Sequence, residues 1–275
     1  MSEAPAWLFV ERNDLPLIVS MPHTGTDMPP EIEAEFVSPW LARKDADWWV
    51  ERLYDFASEM GATVVRTAIS RSVIDVNRDP SGRSLYPGQS TTELCPTTTF
   101  DGEPLYRAGR GLPDAEIARR RETFFEPYHR VLRNEIERLA ERHGKAILYE
   151  AHSIRSRIPR LFEGELPHVN IGTNSGASCD EALTGAVADI CAESDFTCVV
   201  NGRFKGGYTT RFYGRPSKGV HAIQLELAMR SYMEESPVTS PDNWPAPYTA
   251  SRAAPLRNLL RRILENCLEF ASRRP

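Results

Sequence analysis

Two histidines, far apart in the chain, each follow a short apolar run. His23 follows Leu17-Ile18-Val19 in the segment Ser20-Met21-Pro22-His23-Thr24-Gly25, and His152 follows Ala146-Ile147-Leu148-Tyr149 in Glu150-Ala151-His152-Ser153. Runs of this kind read as buried strands, and in an open α/β sheet the carboxyl ends of strands are where ligands and catalytic groups gather. A single strand-end His more often only hydrogen-bonds, so the pair gains meaning from what joins it. Two further segments end in the same way. Ser70 to Arg78 runs through Val73-Ile74-Asp75-Val76 to Asn77-Arg78, and Ile223-Gln224-Leu225 leads to Glu226. His, Asn-Arg, His and Glu facing one crevice form the set that a hydrolytic zinc site needs. Neutral imidazoles and a carboxylate hold the metal, an open position takes water, a free carboxylate serves as base, and an Arg holds an anion or polarises a carbonyl.

The third protein ligand should be a carboxylate, because no other His fits. His129 and His143 stand on a polar helix near Arg130 and Arg142 and are expected to be exposed. His168 sits at a loop-to-strand boundary after Pro167, and His221 precedes a strand at its wrong end. Asp45 and Asp47 in Arg43-Lys44-Asp45-Ala46-Asp47-Trp48 are the acidic candidates. On a helix these two cannot share a face, and both could equally be surface charges near a helix start. The residues alone leave the choice open.

These groups need a scaffold, and the chain supplies alternating strand and helix patterns. Strands are expected over residues 17–21, 62–67, 72–76, 146–149, 168–171, 197–200 and 222–227. Residues 39–60 read as one helix, with Ser38 as N-cap, Pro39 in the first position, Trp49, Leu53, Phe56 and Met60 on its apolar face, and Gly61 at its end. Residues 113–143 form a strongly helical stretch, divided or kinked at Pro127 and stopped at Gly144. Further helices span residues 180–193 and 254–271. Between them, residues 79–113 are rich in Gly, Pro, Ser and Thr and lack periodicity. A long irregular stretch in a compact domain is usually functional, so it is expected to cover a site. The alternation predicts one domain over residues 1–275, an α/β fold of three αβα layers around a mixed, largely parallel central sheet.

Bulk properties exclude several function classes. With 275 residues, 41% of them hydrophobic, and a net charge of −5, the chain can bury one large core and shows no basic face for nucleic acid or an anionic membrane. Arg119-Arg120-Arg121 has acidic neighbours and reads as a solvated face. No apolar run approaches the roughly 20 residues of a membrane span. Met1-Ser2-Glu3-Ala4-Pro5 lacks the basic start and apolar stretch of a secretory signal. The five cysteines are odd in number, contain no C-x-x-C pair, and suit a reducing cytoplasm as buried, inert thiols.

The ordered motifs resemble the N-formylglutamate amidohydrolase (N-formylglutamate deformylase) family of the histidine-degradation type. The resemblance runs from Pro16 to Met233. It rests on Pro22-His23-Thr24-Gly25-Thr26, Asp45-Ala46-Asp47-Trp48 with Glu51-Arg52-Leu53-Tyr54, and Val76-Asn77-Arg78-Asp79-Pro80. Leu85-Tyr86-Pro87-Gly88-Gln89-Ser90, Leu94-Cys95-Pro96-Thr97-Thr98 and the stretch from Ala151 to Gly164 extend it. Lys205-Gly206-Gly207-Tyr208-Thr209-Thr210-Arg211 and Gln224-Leu225-Glu226 complete it.

The resemblance implies a phosphorylase/hydrolase-like fold, similar to zinc carboxypeptidases, and cleavage of N-formyl-L-glutamate to formate and L-glutamate. It implies His23, Asp47 and His152 as metal ligands, with Asp47 preferred over Asp45, and Zn2+ as the metal, replaceable by Co2+, Mn2+ or Fe2+. Glu226 corresponds to the general base, and Asn77-Arg78 to the step that grips a substrate carboxylate. A dicarboxylate substrate calls for two cationic anchors, for which Arg78 and Arg211 are the choices, with Arg71 and Arg155 in reserve and Tyr213 counted among the substrate-binding residues. Gly206-Gly207 is expected to let a loop approach the ligand. Two departures stand out. Glu150 replaces the Asp that many members carry before Ala-His-Ser, where a longer acid can still orient His152. Phe212 precedes Tyr213-Gly214 where a His is frequent, which marks residue 212 as a point where substrate choice could differ. Two other functions fit the same residues: a related zinc amidohydrolase acting on another N-acyl or N-formimino amino acid, and a non-catalytic amino-acid-binding relative.

Overall fold

The computed structural model describes residues 4–273, so the N-terminal reading at Met1, Ser2 and Glu3 lies outside the described residues. The chain forms β1 (Leu8–Glu11), β2 (Leu17–Met21), three short helices α1 (Pro30–Glu33), α2 (Pro39–Arg43) and α3 (Val50–Leu53), and β3 (Thr63–Thr67). After a long irregular segment come α4 (Asp114–Arg120), a π-helical turn (Arg121–Phe125) and α5 (Glu126–His143). Then follow β4 (Ala146–Ile154), β5 (Val169–Gly172), α6 (Glu181–Ala192), β6 (Cys198–Val200), α7 (Tyr208–Tyr213), β7 (Val220–Ala228) and α8 (Ala250–Ser272).

The seven strands make one sheet in the order β1-β3-β2-β4-β7-β5-β6. Neighbours β3, β2, β4 and β7 are parallel, while β1 and the β5–β6 pair run against them. The sheet is therefore mixed with a parallel centre, as expected. Alternation along the central strands sends their side chains into two layers. Ile147, Tyr149 and Ala151 of β4 and Ile223, Leu225 and Leu227 of β7 pack with Leu183 and Val187 of α6 and Leu256, Leu260 and Ile263 of α8. On the other face Ala146, Leu148 and Ala222 pack with Tyr128, Leu132, Ile136 and Leu139 of α5. A buried Leu or Ile of this kind contributes about 1.5–3 kcal/mol, so both helical layers are held firmly to the sheet.

Several sequence expectations are corrected. Residues 39–60 do not form one helix. Ser38 does cap α2, accepting from the Trp40 and Leu41 amides, but the chain breaks after Arg43, and Trp49 takes a left-handed φ of 65°. The break lets the Asp47 amide donate to His23 O at 2.9 Å. Residues 72–76 are not a strand, although Val73, Ile74 and Val76 are buried. There Ser70 Oγ accepts from the Ser72 amide and Asp75 Oδ1 from the Asn77 amide. Such local bonds compete with a sheet ladder and hold a turn. His129 is buried, not exposed, and Arg120 is buried against Glu116, Val73 O and Tyr106 Oη. The division of the 113–143 helix lies at the π-helical turn just before Pro127, and Gly144 ends it with φ 74°.

Candidate active site

The site begins where the lower face of the central strands turns from apolar to polar. Along β4 that face reads Ala146, Leu148, Glu150, His152, and along β7 it reads Ala222, Gln224, Glu226. The parallel register sets Glu150 beside Gln224 and His152 beside Glu226. Both strands run longer than their apolar cores suggest, so His152 and Glu226 lie within the ladder and not beyond it. Their main chains are fixed by sheet hydrogen bonds, which gives the side chains little freedom. His23 reaches the same place from the turn after β2.

Among the described residues, His23, Asp47 and His152 form a buried group whose ligand atoms all lie within 4.8 Å of one another. Asp47 Oδ2 is 3.0 Å from His152 Nδ1 and 3.7 Å from His23 Nδ1. The far ring nitrogens are held from behind. His23 Nε2 lies 2.7 Å from Asp75 Oδ1, while His152 Nε2 lies 3.0 Å from Asn77 Nδ2 and 3.5 Å from Glu150 Oε2. The Asp75 contact is how a metal-binding His is oriented, whereas at His152 Nε2 the Asn77 amide donates and Glu150 stands close by. His23 Nδ1 and Asp47 Oδ1 are buried without hydrogen-bond partners among the described residues. Unsatisfied buried groups are costly, and a cation among the two Nδ1 atoms and the Asp47 carboxylate would satisfy both. The donor set, two imidazoles and one carboxylate, fits a divalent transition metal.

The electrostatics favour positive charge at the centre. Burial would raise the Asp47 carboxyl, but the His23 and His152 imidazoles outweigh it and leave the group well below the usual carboxylate range. Burial also opposes ionisation of Asp75, yet His23, Arg71 and Arg78 hold it ionised. Burial alone would lower His152, but its bonds to Asp47 and Glu150 hold it up at about 10 in the metal-free protein. Glu226 behaves differently: burial pushes its carboxyl up to about 7, against the attraction of His152 and with the repulsion of Asp47. Among the described acids around the histidines, it is the one poised to exchange a proton near neutrality.

These groups open into a cavity lined by Arg71, Arg78, Tyr86, Phe100, Arg203 and Gln224 as well as His23, His152 and Glu226. The irregular segment 79–113 supplies Tyr86, Thr92 and Phe100, so it does cover the site. Its anchorage includes Asp45, whose Oδ2 accepts from the Phe100 amide and whose Oδ1 meets Arg155. Asp45 thus ties the segment down while Asp47 faces the histidines.

The remaining candidates divide between the cavity and its supports. Arg71 Nη2 donates to Asp75 Oδ2 at 2.7 Å and its guanidinium lies over the Phe100 ring. Arg78 donates through Nη2 to Thr92 Oγ1 at 3.0 Å. Asn77 lines the cavity, but its amide is engaged by His152 and by the Thr209 amide. Arg155 is paired with Asp101 at 2.7 Å, and Arg211 donates to Gly206 O and lies 4.9 Å from the Tyr86 ring centroid. Neither lines the cavity. Tyr213 belongs to a separate cavity with His129, Tyr208 and Phe212, so the Phe212 departure lies away from the reacting centre. Gly207 lines the cavity and also makes room for Asn77: a Cβ there would come within 2.3 Å of Asn77 Nδ2. Among the residues that sequence reasoning missed are Asp75, Gln224 and Arg203. Gln224, whose Oε1 accepts from the Gly207 amide, was signalled by its alternation with Glu226 on one strand face. Arg203 had no such signal, because it stands on a loop.

The family model described as N-formylglutamate amidohydrolase matches residues 15–233. N-formylglutamate deformylase of Pseudomonas aeruginosa is 44% identical over 268 residues, covering 97% of this chain and 98% of its own length. The N-formylglutamate deformylase of Pseudomonas putida is also 44% identical, with 97% of each chain covered. In fold, the chain is similar to the crystal structure of an N-formylglutamate amidohydrolase from Ralstonia eutropha, with a TM-score of 0.71 at 24% identity and 97% of each chain covered.

Proposed function

This chain belongs to the N-formylglutamate amidohydrolase family, and from that membership and the site we propose that it hydrolyses N-formyl-L-glutamate to L-glutamate and formate in a metal-dependent reaction. The observation that carries the metal dependence is the buried His23, Asp47 and His152 group with two unpartnered ligand atoms. Zn2+ is the proposed metal, which would be held by His23, His152 and the Asp47 carboxylate. When bound it would supply Lewis acidity toward a water and toward the formyl oxygen.

The chain's own residues do the rest. Asp75 holds the outer nitrogen of His23, so that Nδ1 of this ring faces Asp47, while the Asn77 amide and the nearby Glu150 fix the His152 ring with its Nδ1 toward Asp47. Glu226, adjacent to His152 in the ladder and raised to about 7, takes the proton from the attacking water as the C–O bond forms. It returns that proton to the amide nitrogen as the C–N bond breaks, so formate and the free amine leave with the base regenerated. Arg78 is one link from the centre, through Asp75, and binds the α-carboxylate next to the scissile amide. Arg71 keeps Asp75 ionised and adds positive charge near the developing oxyanion. Asn77 positions His152 and the start of α7.

The reaction suits the last step of a histidine-degradation route, the type its motifs resemble. The five free cysteines fit a reducing cytoplasm, and no helix among the described residues is long and apolar enough to cross a membrane. The test is formate release from N-formyl-L-glutamate by the purified protein, after chelation and after zinc add-back. Release that is lost with chelator and restored by zinc is expected. Release that survives complete metal removal would sink the metal assignment, and none from metal-loaded protein would sink the substrate.

A further inference from the structure

Three guanidiniums line the cavity, and they are not equally compensated. Arg71 is bonded to Asp75 and lies 3.6 Å from Asp47, and Arg78 Nε lies 3.5 Å from Asp75. Arg203 forms no ion pair with a carboxylate among the described residues. It is nonetheless held in place: Nε donates to Leu161 O at 2.9 Å and Nη2 to Ser90 O at 3.1 Å. Its charge lies over the Tyr86 and Phe204 rings, each centroid 5.2 Å away. Burial lowers the Arg203 pKa against attraction from Tyr86 and from Glu226, with which Arg203 forms no ion pair, and the neighbouring Arg78 adds repulsion. A partly desolvated cation that faces another cation across a cavity is incomplete until an anion enters. Nη1 and the second hydrogen of Nη2 remain for that anion.

We propose that Arg203 binds the side-chain carboxylate of the substrate and so sets a preference for acidic over neutral N-formyl amino acids. This inference rests on the deformylase reading for the substrate class, though not for the anion itself. The division of labour follows from position. Arg78 shares Asp75 with His23 and therefore serves the carboxylate nearest the reacting amide. Arg203 is fixed by the chain segments around Ser90 and Leu161, has no link to Asp75, and lines the same cavity, so it is left to serve the second carboxylate. Two main-chain carbonyls and two aromatic faces restrict the guanidinium before any ligand arrives, which lowers the cost of ordering it on binding. A neutral side chain would leave the Arg203 charge desolvated and unpaired, the condition that makes polar recognition discriminating.

The competing role is that of a strut, because Arg203 also joins the 79–113 segment to residue 161. The test compares N-formyl-L-glutamate with N-formyl-L-glutamine on the zinc-loaded wild type, Arg203→Gln and Arg203→Lys. It adds calorimetric binding of L-glutamate and L-glutamine. For Arg203→Gln, kcat/KM on N-formyl-L-glutamate should fall about 100-fold, mainly through KM, with a far smaller fall for the glutamine analogue. Arg203→Lys should lie between. Equal falls on both substrates identify a strut and overturn the proposal. So does a wild type that binds L-glutamate no better than L-glutamine, an outcome needing no variant to fold. If the wild type releases no formate but L-glutamate binding still weakens about 100-fold in Arg203→Gln, the deformylase reading fails and the anchor stands.

Discussion

His152 and His129 are both buried, yet their surroundings drive them in opposite directions. His152 has Asp47 at Nδ1 and both the Asn77 amide and the Glu150 carboxylate near Nε2, and the two acids hold it up at about 10 against burial. His129 has Val76 O at 2.7 Å and Tyr213 Oη at 3.1 Å, and burial pushes it down to about 4 against the pull of the Val76 carbonyl. Burial penalises the charged imidazole in each case; the partners decide whether the penalty wins. Around His23 and His152 stand Asp47, Asp75, Glu150 and Glu226, a set of acids that only cations can balance. Around His129 stand aromatic rings, with Phe125 at 4.2 Å and Tyr213 stacked at 5.8 Å between centroids. A buried histidine therefore marks a metal centre only when carboxylates share its pocket.

The sharpest way to break this contrast is to remove a ligand. His152→Ala or Asp47→Asn should abolish bound zinc and lower formate release by at least about 10³-fold. Zinc retained at full stoichiometry by either variant would contradict the proposed centre. Glu226→Gln should separate binding from chemistry: zinc content stays, and kcat falls about 10²–10⁴-fold. A wild-type rate would reject Glu226 as the base.

The His129 side of the contrast is a stability experiment. The folded state keeps this imidazole neutral, while the unfolded chain gains its proton near the ordinary value of 6.5. The neutral fold is thus fully favoured above pH 6.5, and stability falls as the pH drops from 6.5 to about 4. The loss is about 3 kcal/mol over that interval. His129→Gln should be less stable at pH 7 but lose less between pH 6.5 and 4 in urea unfolding, measured on metal-free protein. A slope identical to wild type would show that His129 does not carry the acid sensitivity. The smallest expected effect is at Asp75. Asp75→Asn keeps the shape but weakens the hold on His23 Nε2, and zinc affinity should fall about 10–100-fold in chelator competition. Unchanged affinity would show that His23 needs no orienting carboxylate.

How far the sequence foretold these arrangements depended on where each signal was stored. The apolar runs Leu17-Ile18-Val19 and Ala146-Ile147-Leu148 announced strands, which the structure sets beside one another, and His23, His152 and Glu226 were legible because each follows or ends such a run. The single-helix reading of residues 39–60 failed because Trp49, Leu53, Phe56 and Met60 keep helical spacing although the backbone between them turns over. Periodicity records which side chains are buried, not whether the hydrogen-bond ladder is continuous. The same limit hid the turn at 70–77, where buried β-branched residues imitate a strand.

The sequence by itself determined the layered α/β class and the pair of strand-end histidines with their distant carboxylate, because alternation and composition are local properties of the chain. Residue patterning left Asp45 and Asp47 open and the family resemblance favoured Asp47; the tertiary structure sets Asp47 facing the histidines, since a backbone break after Arg43 sends Asp45 toward Arg155 and Asp47 toward His23 and His152. It also decided that Arg71, Arg78 and Arg203 share the cavity while Arg155 and Arg211 brace its walls. Arginine is chemically the same at all five positions. Which carboxylate or carbonyl it meets is set by contacts between segments far apart in the chain, and no local pattern encodes that distance.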